Sequence, residues 1–221
     1  MKYRQTNFSQ GEFYHVYNRG NSKQIIYRNQ DDFERFQKLL FLCNSKNNVS
    51  FRDADDLKAG VYSVEQVEPL VSIGAYCLMS NHFHILLTPL VEGGVGLFMK
   101  KISTAYVMYV NKRYKRKGGL FEGSFKSVHA ETDRYLKYLF SYIHLNPTAK
   151  TPRSNLGEYT KLELDSLVNK VGTYSYSSLG DYLGREREEG LILDKEAFPD
   201  YFSSQTDLKT ELGEWIVYGD E

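Results

Sequence analysis

The 221-residue chain reads as an α+β protein, a ferredoxin-like split βαβ sandwich with one extra helix and a C-terminal extension. Three observations predict this. Hydrophobic patterns follow one another in the order strand, helix, strand, strand, helix, strand, helix. Two strand-like runs, "LVSIGAYCLM" and "HFHILLT", are separated only by Ser80 and Asn81, a hairpin signal. After residue 150 the periodicity fades and the chain turns polar and acidic.

The elements follow in order. Residues 12–19, "EFYHVYNR", alternate as a strand, and Gly20 with Asn21 ends the run. "DDFERFQKLLFLCN" starts with acids and spaces Phe33, Phe36, Leu40 and Cys43 as a helix would, which predicts a helix over about 31–45. Residues 46–68 are polar and read as a loop with some strand. "EGGVG" breaks the pattern after the hairpin, and "LFMKKISTAYVMYVNKRY" then reads as a long amphipathic helix stopped by "KRKGG". "LFEGSFKSVHA" follows as a strand. "TDRYLKYLFSYIHLNP" reads as a helix capped by Thr132 and closed by Pro147. "TPRSNLGEY" resembles a linker, so residues 1–150 are expected to form the main domain and 151–221 an extension packed on it.

Composition narrows the function classes. The chain is 41% apolar, enough to bury a core. Its two cysteines, Cys43 and Cys77, sit in apolar segments and are too few for a disulfide scaffold, which fits a cytoplasmic setting. The N-terminus is polar, with no signal peptide pattern, and no apolar run approaches the roughly 20 residues that span a bilayer. Lys and Arg balance Asp and Glu at 28 each, yet the charge is segregated. Lys100–Lys126 holds eight bases against the single acid Glu122, while Asp181–Glu221 holds twelve acids against four bases.

The residues that suggest chemistry lie in "SNHFHILL". Alternate residues of a strand share a face, so His82 and His84 project together. They are either two hydrogen-bonded histidines or a pair sharing one metal ion. No third alternate histidine follows, since that position is Leu86, and no HExxH is present. In the last helix, at about 100° per residue, Leu136, Leu139, Phe140 and Ile143 form an apolar stripe, with Arg134, Lys137, Ser141 and His144 opposite. Tyr142 falls at the stripe's edge and Asn146 on its inward side. Asn146 is either a helix C-cap or, together with Tyr142, part of a site over the His pair, one residue a nucleophile and the other a ligand. His15 reads as a hydrogen-bonded strand histidine.

"FYHVYNRGN", "CLMSNHFHILL", "RYKRKGGLFEGSFKS", "YLKYLFSYIHLNP" and "YSYSSLGDYLG" occur in the order found in REP-associated tyrosine transposases, and over residues 13 to about 184 the chain resembles that family. These are single-tyrosine members of the HUH endonuclease superfamily. The resemblance implies the HUH fold, metal-dependent cleavage and rejoining of single-stranded DNA, transposition as the outcome, and Mg²⁺ or Mn²⁺ as cofactor. It implies Tyr142 as nucleophile, giving a 5′-phosphotyrosine, and His82, His84 and Asn146 as metal ligands. Two imidazoles suit manganese better than magnesium. The family usually has Trp where this chain has Tyr176, a departure outside the expected active site. The partner is then single-stranded or hairpin DNA, met by a monomer or homodimer. Lys100, Lys101, Lys112, Arg113, Lys115, Arg116, Lys117 and Lys126 are the expected phosphate-binding surface, with Asn18 and Arg19 as further contacts. Two other readings stand beside this one: a DNA hairpin-binding descendant without cleavage, and a metal-dependent phosphoesterase on the same fold.

Overall fold

Strands β1 (Tyr14–Arg19), β2 (Val71–Met79), β3 (His82–Pro89) and β4 (Lys126–His129) form one antiparallel sheet in the computed structural model, which describes residues 7–47, 60–148, 160–202 and 204–218. Their spatial order is β2-β3-β1-β4. Helix α1 (Gln30–Leu42) separates β1 from β2, and α2 (Gly94–Arg113) separates β3 from β4. The chain order βαββαβ with β3 inserted between β1 and β2 is the split βαβ arrangement. The extra helix, α3 (Asp133–Leu145), follows β4. Beyond it come α4 (Lys161–Gly172), the short α5 (Leu179–Tyr182) and α6 (Gln205–Tyr218).

The two faces of the sheet bury different sets of side chains, because strand residues alternate. Phe83, Ile85 and Leu87 of β3 join Val16, Tyr76 and Leu78 on one face, where α1 adds Phe36 and Leu40 and α2 adds Phe98, Ile102 and Tyr106. The other face carries His82, His84 and Leu86. There Leu86, Ala75 and Cys77 meet Leu136, Leu139 and Ile143 of α3, Val168 of α4 and Leu212 of α6. The histidines therefore lie under the extra helix, not under the two helices of the βαββαβ unit.

Local chemistry sets the boundaries. Asn29 caps α1 by accepting from the Asp32 amide at 3.2 Å, and Asp31 and Asp32 favour its N-terminus. Thr132 caps α3, accepting from the Tyr135 amide at 3.2 Å. Thr160 and Glu163 form a capping box at the start of α4. Ser80 and Asn81 alone connect β2 to β3, so the hairpin register is tight, with Met79 opposite His82. One irregularity, between Ile73 and Ala75, places Gly74 where a Cβ would stand 2.7 Å from the Phe198 ring. The extension packs there on bare backbone.

Several expectations change. The first helix ends at Leu42 rather than near 45, and β4 covers only four residues of the expected strand segment. Within 46–68 the described residues hold a 3-10 turn, Val61–Ser63, and no strand, while 48–59 lie outside the described residues. The expected linker, residues 151–159, also lies outside them. The extension is more regular than its composition suggests. Its helices, with Phe198, Tyr201 and Phe202, pack into the same apolar cluster as α3. Ser141 and His144, expected on the polar side of the helix, are fully buried, and His144 packs against Tyr182 of the extension. His144 Nε2 meets Ser178 Oγ at 2.7 Å, and Ser178 Oγ in turn accepts from the Tyr76 amide of β2 at 2.9 Å. No helix among the described residues is long and apolar enough to cross a membrane.

Candidate active site

His82 opens β3 and His84 follows on the same face, their rings edge to face with centroids 5.0 Å apart. Each has its Nδ1 occupied. Asn81 Oδ1 lies 2.7 Å from Nδ1 of His82, and the same amide donates through Nδ2 to the Lys23 carbonyl at 3.2 Å. The oxygen therefore faces the ring, so His82 donates from Nδ1 and keeps a lone pair on Nε2. Nδ1 of His84 stands 2.8 Å from Nε2 of His15, a buried residue of β1. Burial holds all three imidazoles neutral. His15 is pushed down to about 4, His84 is lowered further by the neighbouring His15 and His82, and His82 is lowered by burial and by the nearby Arg19.

Helix α3 lays Tyr142 across this pair. Its ring centroid is 5.6 Å from His84 and 5.9 Å from His15, edge to face in both cases. Tyr142 is 41% exposed, although its helix is otherwise packed on both sides. Asn146 follows at the helix C-cap, donating from Nδ2 to the Tyr142 carbonyl at 2.9 Å, which sets its amide beside His82 and Tyr142. Capping and site-building are thus done by the same amide. Burial and the nearby Tyr17 raise the Tyr142 phenol above its ordinary value.

The structure brings His82, His84, Tyr142 and Asn146 together, and adds two residues the sequence had not placed at the site. His15 bonds another site imidazole. Tyr17 stacks on His15 at 5.0 Å and on His84 at 5.9 Å. A signal for both existed: positions 15 and 17 alternate in β1 as 82 and 84 do in β3. Only the pairing of Tyr17 with His84 turns the two patterns onto one face.

A divalent cation fits this donor set. Two neutral imidazoles with Nε2 available and one amide side chain are suitable ligands, and their partners hold the rings in place. No group of three or more His, Cys, Asp or Glu side chains forms a metal cage among the described residues. A cation here would keep positions open for substrate oxygens, as catalytic metals require.

The cationic candidates divide. Lys126 pairs in register with Tyr17, and Arg19 with His82, so both stand on the histidine face. Arg19 is held by Glu122. Lys112, Lys115 and Lys117 are exposed at the end of α2 and in the loop after it. That loop is tied to the end of β1, with the Asn21 amide on the Leu120 carbonyl and the Glu122 amide on the Arg19 carbonyl, each at 2.9 Å. Arg116 is half-buried against Gln24, and Arg113 pairs with Asp31. Lys100 is exposed, but Lys101 donates to the carbonyls of Ser45 and Asn47, and both belong to the first half of α2, behind the sheet. Asn18 is a correction. It is 5% exposed, donates to the Gly123 carbonyl and accepts from the Arg19 amide, so it shapes a turn and has no face to offer DNA.

Residues 37–146, which carry both histidines, Tyr142 and Asn146, match the family model described as "Transposase IS200 like". Among solved structures, that of a REP-associated tyrosine transposase bound to a REP hairpin aligns with 92% of this chain and 99% of its own, at 13% identity and a TM-score of 0.49. A comparison with curated proteins finds no match. Through residues 37–146 the chain belongs to the IS200-like transposases.

Proposed function

We propose that this protein cleaves and rejoins single-stranded DNA through Tyr142, with His82, His84 and Asn146 holding a divalent cation, Mg²⁺ or Mn²⁺. The observation that carries this reading is the placement of a half-exposed phenol 5.6 Å, ring to ring, from His84, whose ring lies 5.0 Å from that of His82. The five motifs shared with REP-associated tyrosine transposases support single-stranded or hairpin DNA as the substrate.

Tyr142 Oη attacks the scissile phosphorus, its proton leaves, and the bond to the 3′ oxygen breaks. That oxygen departs as a 3′-hydroxyl, and the strand stays joined to Tyr142 through its 5′ phosphate. The phosphodiester energy is kept, so another 3′-hydroxyl can reverse the step and join strands without ATP. A phenol raised by burial is a weak nucleophile at neutral pH. The bound cation supplies Lewis-acid polarisation of the phosphate and charge that favours the phenolate. Asn146 is tied to the Tyr142 carbonyl beside His82, and Arg19 and Lys126 border the same face.

The test is a denaturing gel after incubating the protein with end-labelled single strands and Mn²⁺. Wild type and Tyr138→Phe form a covalent adduct; Tyr142→Phe binds DNA and forms none. Tyr138 is the stringent control, because its ring stacks on Tyr142 at 5.8 Å on the same helix. An adduct with Tyr142→Phe assigns the nucleophile elsewhere. DNA binding without an adduct in wild type supports the hairpin-binding alternative.

A further inference from the structure

We infer that His15 is the positioning residue of the cation site: it accepts the Nδ1 proton of His84 and so aims the Nε2 lone pair of His84 at the cation. The inference rests on the cation reading above and extends it to a residue outside the segment matched by the family.

The argument is one of tautomers. The 2.8 Å contact between His15 Nε2 and His84 Nδ1 has room for a single proton, so one nitrogen donates and the other accepts. If His15 donates, the single proton of His84 sits on Nε2 and that nitrogen cannot bind a cation. If His84 donates, its proton sits on Nδ1 and Nε2 is bare. Only the second state matches His82, whose Nδ1 proton is held by Asn81 Oδ1 at 2.7 Å. The two site histidines then have the same polarity, each donating from Nδ1 to a protein acceptor and presenting Nε2.

The surroundings hold the pair in this geometry. Tyr17 stacks against both rings within 26° of parallel, and His15 and His84 themselves are 24° apart. His15 is 5% and His84 6% exposed, so water is a poor substitute acceptor if the His15 ring is lost. A partner that fixes a ligand histidine in this way commonly changes metal affinity roughly 10–100-fold.

The experiment titrates the full chain with Mn²⁺ alone and follows the free ion by electron paramagnetic resonance, with thermal unfolding as a check on folding. His15→Phe is expected to weaken Mn²⁺ binding by roughly 10–100-fold. His15→Gln, whose side-chain oxygen can accept the same proton, is expected to stay within a few-fold of wild type. Wild-type affinity in a folded His15→Phe protein overturns the assignment while leaving the cation site standing. No Mn²⁺ binding by wild type overturns the site and the assignment together. A second measurement needs no substitution: ring ¹⁵N shifts of His84 in wild type, with Zn²⁺ as a diamagnetic stand-in. Metallation at Nε2 with a protonated Nδ1 supports the role of His15, and metallation at Nδ1 overturns it.

Discussion

His15 and His144 bury neutral rings on opposite sides of α3, His15 at the site and His144 beneath the extension. Burial pushes His15 down to about 4 and His144 down to about 3, from an ordinary 6.5. In each case the unfolded chain takes a proton that the fold refuses. Stability therefore rises with pH across the window between the two values and is lost as pH falls below about 6.5. For one such histidine the loss approaches roughly 3 kcal/mol by pH 4. Urea midpoints measured from pH 7.5 to 4.5 are expected to fall steeply for wild type. They should fall less for His144→Gln, which keeps a hydrogen-bonding side chain but cannot titrate. Equal slopes in the two proteins would place the acid sensitivity at other groups.

Helix α3 has two buried faces, and that decides how firmly Tyr142 is held. Leu136, Leu139 and Ile143 meet the sheet, as their spacing indicated. Ser141 and His144 are buried as well, and the bond from His144 to Ser178 ties the helix to the segment that docks along β2. That segment runs beside the edge strand, with the Leu78 amide on the Tyr176 carbonyl at 2.9 Å and the Ser178 amide on the Tyr76 carbonyl at 3.0 Å. It covers an edge that would otherwise be open to pairing. Tyr176, where the resembling family usually has Trp, stacks on Phe33 of α1 at 4.0 Å. Ser178→Ala removes a hydroxyl that serves both His144 and the Tyr76 amide. It is expected to cost about 1–3 kcal/mol of unfolding free energy, read by chemical denaturation. Because α3 carries Tyr142, the proposed nucleophile, adduct formation should fall in the same variant.

At the scale of the whole molecule, the neutral total conceals a divided surface. Lys115, Lys117 and Lys126 flank the end of β1 where His82 begins, while acidic residues such as Glu211 and Glu214 belong to α6. Glu211 is partly neutralised by Lys137 at 2.7 Å. Single-stranded DNA is expected to bind with an affinity that falls as salt rises, with a slope of about −0.7 per phosphate contact. Replacing Lys115, Lys117 and Lys126 by Ala together should flatten that slope by up to about 2. Replacing Lys100 and Lys101, which lie behind the sheet, should leave it almost unchanged. Fluorescence anisotropy of a labelled strand at several salt concentrations reads both, and a larger effect from Lys100 and Lys101 would move the binding surface to the α2 side.

The sequence by itself determined the βαββαβ order, the hairpin at Ser80 and Asn81, and the shared face of His82 and His84. These follow from local periodicity, which depends only on neighbours along the chain. It also placed Tyr142 and Asn146 one helical turn apart. Tertiary structure decided the rest. Positions 15 and 84 are distant in sequence, and only strand pairing sets His15 against His84. Ser141 and His144 look like solvent residues until the extension covers them, because a single helix pattern reveals one buried face and not a second partner. Asn18 and Lys101 read as free polar groups until the fold brings backbone carbonyls within hydrogen-bonding distance. Such contacts join segments far apart in the chain, and no local pattern encodes them.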